Sequence, residues 1–160
     1  MADFTLGTPE HLKVPDGTRV GIVVSRWNDH ITGQLLQGAL QTCTALGLKP
    51  HDVDVFWCPG AYEIPMTAQM VLDTGRYHGV IALGAVIRGS TPHFEYVAGA
   101  ASEGVMRVML DMRKPVIFGV LTVENEDQAQ ERARLDRGNK GGEAAVTLLE
   151  MLALEAQIKG

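Results

Sequence analysis

Apolar residues in this chain fall into two alternating patterns. Short unbroken runs rich in β-branched residues alternate with longer stretches whose apolar positions recur three and four apart. The runs fit parallel strands buried on both faces, and the stretches fit helices that cover them. Strands are predicted at Arg19 to Ser25, Asp52 to Cys58, Gly79 to Ile87 and Pro115 to Thr122. After the first, Thr32 stands as an N-cap to a helix with Leu35, Leu36, Ala39, Leu40, Cys43 and Leu46 on its apolar face, closed by Gly47. A helix from about Pro65 to Asp73, ended by Gly75, follows the second strand. Beyond the third, Thr91 as N-cap and Pro92 at the first helical position open a helix running through Val105, Met106, Met109 and Leu110. Asn125 and Gln128 stand at capping-box spacing for another. After a break at Arg137 to Gly141, the spacing of Ala145, Leu148, Leu149 and Leu152 predicts the last helix.

Strand and helix thus alternate four times, with crossovers long enough for right-handed βαβ units. The fold class is α/β: three layers, α/β/α, with a four-stranded parallel sheet and helices on both faces. No repeat, low-complexity tract or linker divides the chain, so residues 1–160 read as a single domain. Residues 1–18, with Gly7, Pro9, Pro15 and Gly17, show no helical period and are expected to form an irregular arm or an added edge strand.

Composition narrows the function classes. Hydrophobic residues make up 46% and charged residues 21%, a globular balance. The net charge of -5 argues against general nucleic-acid binding. No apolar run reaches membrane-spanning length, and the N-terminus lacks a signal-peptide pattern, so no membrane partner and a cytoplasmic location are expected. Cys43 and Cys58 have no CxxC spacing, and no histidine pair has the spacing of a zinc helix. Free thiols and no metal are the expectation.

In such sheets, ligands bind outside the carboxyl ends of the strands. The chain's polar oddities fall there: Arg26-Trp27-Asn28, Pro59 to Glu63, Gly89 to His93, and the segment after Thr122. The stretch Gly84 to Val97 is the most informative. A Gly-containing turn before a helix aims free N–H groups and the positive end of the helix dipole at one spot, which suits a phosphate. Plain capping explains Gly89-Ser90-Thr91 about as well. His93, in the first helical turn, is placed to accept a proton. Trp27 is either an ordinary half-buried aromatic or a surface for a flat heteroaromatic ring. Glu63 is either a carboxylate favoured by a helix N-terminus or an acceptor for ligand hydroxyls. Arg132, Arg134, Arg137 and Lys140 form either a solvated face or a source of cations for a phosphate. Nothing matches G-x-G-x-x-G or a Walker P-loop, which disfavours dinucleotides and nucleoside triphosphates.

Taken in order, these motifs resemble the lumazine synthase family of riboflavin biosynthesis. The residues that carry the resemblance run from Val20 to about Leu154. They are Arg26-Trp27-Asn28, Pro59 to Pro65, Ile87 to Phe94, Phe118 to Thr122, Gln128-Ala129 with Arg132-Ala133, and Gly138 to Gly141. The resemblance implies a flavodoxin-like sheet and no metal or organic cofactor. It also implies condensation of 5-amino-6-(D-ribitylamino)uracil with 3,4-dihydroxy-2-butanone 4-phosphate, giving 6,7-dimethyl-8-ribityllumazine, phosphate and water. By the same analogy Trp27 stacks on the pyrimidine, with Asn28 beside it, and the backbone of Val86 and Ile87 meets its edge. Gly60, Ala61, Tyr62 and Glu63 hold the ribityl chain. Ser90, Thr91 and Arg132 bind the phosphate, and His93 moves protons. Phe118, Arg132 and Lys140 are expected from a neighbouring subunit. The implied assembly is a homo-oligomer of at least a pentamer, up to a 60-subunit icosahedral shell, with riboflavin synthase as a further partner. Trp27 stands where the family more often has Phe, and Ser90 where it often has Glu, Asp or Ala. Two rival readings are a flavin-storing shell protein and an unrelated sugar-phosphate-binding domain. Retention of both His93 and Arg132 argues against each.

Overall fold

Four parallel strands lie in the order β2-β1-β3-β4 in the computed structural model, which describes residues 12–160. They are β1 (Val20–Ser25), β2 (Val53–Cys58), β3 (Gly79–Ile87) and β4 (Val116–Val123). The helices are α1 (Asp29–Ala45), α2 (Ile64–Asp73), α3 (His93–Met112), α4 (Glu126–Ala133) and α5 (Lys140–Lys159). Short 3-10 turns at Pro50–Asp52 and Ala61–Glu63 precede β2 and α2.

Strand alternation sorts the core into two layers. Val20, Ile22 and Val24 of β1, Ile81, Leu83 and Ala85 of β3, and Leu121 and Val123 of β4 pack under α1, α4 and α5. Val23, Val80, Ala82, Val86, Val116 and Val120 face α2 and α3 on the other side. Both central strands are therefore covered twice, which is why their sequences are apolar without interruption. Each fully buried Leu or Ile stabilises the fold by roughly 1.5–3 kcal/mol relative to exposure. The predicted three-layer α/β/α class is the one observed.

Several boundaries differ from expectation, each for a physical reason. Thr32 does not cap α1. The helix starts at Asp29 behind Asn28, which takes a left-handed conformation (φ 62°). Thr32 is buried one turn in, and its hydroxyl donates to the Ser25 carbonyl at 2.7 Å. The next cap is also displaced by one residue: α3 begins at His93, with Pro92 in the cap position. Thr91 still contributes, because its Oγ1 accepts a long bond from the His93 N–H at 3.4 Å. Asn125 caps α4 as predicted, accepting from the Gln128 N–H at 2.9 Å. In return, Gln128 Oε1 accepts from the Glu124 N–H instead of from the N–H of the cap residue. Of the expected N-terminal arm, residues 12–18 form no strand, and Leu12 and Val14 lie against the α1–α5 side of the core. The rest of that arm lies outside the described residues.

Candidate active site

The strand order reverses between β1 and β3, a switch point above whose carboxyl ends such sheets bind ligands. The β1–α1 turn is tied down on both sides of it. Arg26 N–H donates to the Cys58 carbonyl at 2.8 Å and Trp27 N–H to the Pro59 carbonyl at 3.0 Å. Asn28 then reaches across the switch point, its Nδ2 donating to the Ala85 carbonyl at 3.1 Å. A short polar side chain tolerates the left-handed backbone this requires.

With its backbone fixed in this way, Trp27 leaves its indole 57% exposed. The ring lies over Gly60: a Cβ there would come within 2.6 Å of Cε3 and 2.9 Å of Cζ3. Beside the same glycine, 3.2 Å from that notional Cβ, sits Glu63 Oε2. This carboxylate oxygen is buried and has no hydrogen-bond partner among the described residues. An unpaired buried acceptor typically costs about 1–3 kcal/mol, so it marks a place where a donor is missing. Ala61 is buried and Tyr62 is exposed at the rim.

On the other side of the switch point, β3 delivers Val86 and Ile87 and then the Gly89–Pro92 turn. Among the described residues, nothing hydrogen-bonds the N–H groups of Gly89, Ser90 and Thr91. They stand free before the positive end of the 20-residue helix α3. Ser90, Thr91 and His93 are all exposed. Arg88, just before this turn, forms a fork. Its Nη1 pairs with Glu95, its Nε donates to Glu124 Oε2 at 2.7 Å, and its Cζ lies 4.3 Å from the Phe94 ring centre. The Arg88 hydrogen bond holds the Glu95 carboxyl below the usual carboxylate range, and both carboxylates push the Arg88 guanidinium above its ordinary value. The sequence motif contains Arg88, yet its partners lie 7 and 36 residues away, so reading along the chain assigns it no role.

The structure brings Trp27, Gly60, Glu63, Val86, Ile87, Thr91 and His93 to one end of the sheet. It does not bring Phe118 there. Phe118 is paired in register with Ala82, five residues before Ile87, or about 16 Å down the strand at ~3.3 Å per residue. It is 40% exposed on the outer strand β4. Lys140 opens α5 and pairs with Glu143 at 2.8 Å, while Arg132 on α4 donates to the Gln128 carbonyl at 3.1 Å. The site residues form an open shelf. Two grooves lie elsewhere: one of about 260 Å³ runs along α4 and is lined by Arg134 and Arg137, and one of about 190 Å³ lies between β2 and α2.

Cys43 and Cys58 are free and buried, and burial pushes the Cys43 thiol up to about 11 and raises that of Cys58. Among the described residues, no three His, Cys, Asp or Glu side chains gather to hold a metal, and no helix is long and apolar enough to cross a membrane.

A family model described as 6,7-dimethyl-8-ribityllumazine synthase matches residues 17–156. A 6,7-dimethyl-8-ribityllumazine synthase of Lactiplantibacillus plantarum is 48% identical over 143 residues, covering 89% of this chain and 90% of the relative. The chain belongs to the 6,7-dimethyl-8-ribityllumazine synthase family.

Proposed function

We propose that the shelf at the carboxyl end of the sheet is where this chain condenses 5-amino-6-(D-ribitylamino)uracil with 3,4-dihydroxy-2-butanone 4-phosphate. The observation that carries this reading is the pairing of the exposed Trp27 ring with the orphaned Glu63 carboxylate oxygen across Gly60. A flat heteroaromatic ring bearing a polyhydroxy chain offers both a stacking face and hydroxyl donors. In this reading Trp27 stacks on the pyrimidine, with Asn28 fixing the turn beneath it. The backbone of Val86 and Ile87 reads the ring edge, and Gly60, Ala61, Tyr62 and Glu63 receive the ribityl hydroxyls. The free N–H groups around Ser90 and Thr91 take the phosphate, completed by Arg132.

The chemistry suits these groups. The uracil amine adds to the ketone and water leaves to give an imine. Phosphate is then eliminated to leave an enol that tautomerises to a ketone, and the second amine adds to that carbonyl and expels a second water to close the ring. Holding two substrates in register lowers the barrier by on the order of several kcal/mol. His93, exposed at the first turn of α3, relays protons, a contribution of about two to four orders of magnitude. Cation and amides stabilise charge on the departing phosphate.

A binding pocket normally encloses most of its ligand, and an open shelf does not. That supports completing the site with Phe118, Arg132 and Lys140 of a neighbouring subunit. Exposed Met66 and Met70 on α2, with Met106 and Leu110 on α3, supply apolar surface for the contact. The proposed unit is at least a homopentamer of single-domain subunits, acting in the cytoplasm without a metal or organic cofactor. Incubating the protein with both substrates and following lumazine fluorescence tests the reading. Product is expected from the wild-type chain and a much slower, measurable rate from His93→Ala. Absence of product with wild-type protein removes the enzyme reading.

A further inference from the structure

We infer that Arg88 is a positioning residue for this reaction: its guanidinium holds the Gly89–Pro92 turn and the first turn of α3 in fixed relation to the β4–α4 junction. The inference rests on the reading of the shelf given above.

The turn has little else to hold it. Gly89 has open space around it, and the N–H groups of Gly89, Ser90 and Thr91 are unengaged among the described residues. The Thr91 hydroxyl makes only a long bond, to the His93 N–H at 3.4 Å. Such a turn is free to drift unless its flanks are clamped, and both flanks are clamped by one residue, through its backbone upstream and its side chain downstream. On the upstream side the Arg88 N–H donates to the Val123 carbonyl at 2.9 Å, extending the β3–β4 ladder by one step. On the downstream side Nη1 takes Glu95, two residues beyond His93. The guanidinium plane packs over Phe94, which fixes its direction. The Nε donates to Glu124 at 2.7 Å, and the Glu124 N–H is held in turn by Gln128 Oε1 at 2.8 Å. Gln128 is the residue whose carbonyl receives the Arg132 guanidinium. One planar fork therefore spans three elements: the end of β3, the start of α3 and the approach to α4.

Stability is a poor explanation for the arrangement. Exposed ion pairs contribute little to folding, and both carboxylates are more than half exposed. What the fork supplies is geometry, which a compact ammonium on a flexible stem cannot reproduce.

The test compares Arg88→Ala and Arg88→Lys with wild type in three measurements. In steady-state kinetics, Arg88→Ala is expected to lower kcat/KM for the phosphate-bearing substrate by roughly 10- to 100-fold, the scale of a small misplacement of reacting groups. Its Tm should move by less than about 4 °C, as for a lost surface pair. Arg88→Lys should recover only part of the activity. Hydrogen exchange should quicken in the peptide spanning residues 88–95 of Arg88→Ala, with α5 unchanged. Activity of Arg88→Ala within about twofold of wild type, full rescue by Lys, or unchanged exchange in that peptide overturns the inference. If the wild-type protein forms no product, the reaction reading fails by itself, and the exchange measurement still decides whether Arg88 holds the turn.

Discussion

Gly60 is where one missing methyl group decides how a ring lies. The Trp27 indole occupies the space a Cβ would need, with the closest approach at 2.6 Å. Gly60→Ala must push the ring away, and because the ring is exposed and can yield into solvent, the fold loses only about 0.5 kcal/mol. The stacking face moves, so KM for the pyrimidine substrate should rise about 10-fold while kcat changes less. Steady-state kinetics with that substrate varied checks this, and an unchanged KM would mean that Trp27 does not stack. At the opposite end of the sheet, single residues serve stability instead. Tyr77 is 2% exposed, and its hydroxyl donates to Asp54 Oδ2 at 2.6 Å, where Arg19 also arrives at 3.1 Å. The Tyr77 hydrogen bond first, and Arg19 after it, lower the Asp54 pKa from its ordinary 3.8. A carboxyl depressed in the folded state stabilises it above that ordinary value, and the contribution fades as pH falls through the folded-state value. Tyr77→Phe should cost about 1 kcal/mol at neutral pH and flatten the acid end of the stability profile. Urea denaturation across the range below pH 5 would show it, and an unaltered acid slope would assign the lowered pKa to Arg19 alone.

Between elements, the tightest fit is α5 against α1. A Cβ on Gly141 would stand 1.9 Å from the Leu35 carbonyl oxygen, and one on Gly38 would stand 2.3 Å from Asn139 Oδ1. Backbone cannot step aside as a side chain can. Gly141→Ala should force the helices apart and destabilise the protein by about 3 kcal/mol, measured by denaturant midpoint. Along the chain Arg137 to Gly141 looks like a break, because glycines there look like punctuation; the close approach of Gly141 to Leu35 exists only in three dimensions. Strands were far more legible. β3 is bounded by Gly79 and Ile87 as predicted, since a strand buried on both faces announces itself by unbroken apolar character. Helix starts were less so. Thr32 and Thr91 have capping chemistry, but the Thr32 hydroxyl found the Ser25 carbonyl, and a left-handed Asn28 took over the start of α1. The same logic divides the site. Trp27, Glu63 and His93 stand at strand and helix ends, where sequence order alone puts them on one side of the sheet. The Arg88 fork and the Asn28–Ala85 bridge join residues far apart in the chain, and no local pattern encodes them.

At the scale of the whole molecule, the chain separates work between the two ends of its sheet. Tyr77, Asp54 and Arg19 secure the amino end, and the carboxyl end carries the exposed shelf proposed as the site. Such a shelf is incomplete alone if Arg132 of one subunit serves the turn of the next, and that arrangement can be tested by mixing. His93→Ala removes the proposed base from the shelf side, and Arg132→Ala removes the proposed cation from the α4 side. Each homomeric variant should lose activity by about 100-fold or more. Unfolded together in equal amounts and refolded, they assemble with random neighbours. In a ring with head-to-tail contacts, about one interface in four then pairs an intact shelf with an intact α4, so about a quarter of wild-type activity should return. Separately refolded variants mixed afterwards serve as the control. If both residues act within one chain, no subunit in the mixture holds an intact pair, and activity stays at the level of the parents. Recovery therefore measures the path of Arg132 across the subunit boundary, independently of how many subunits close the assembly.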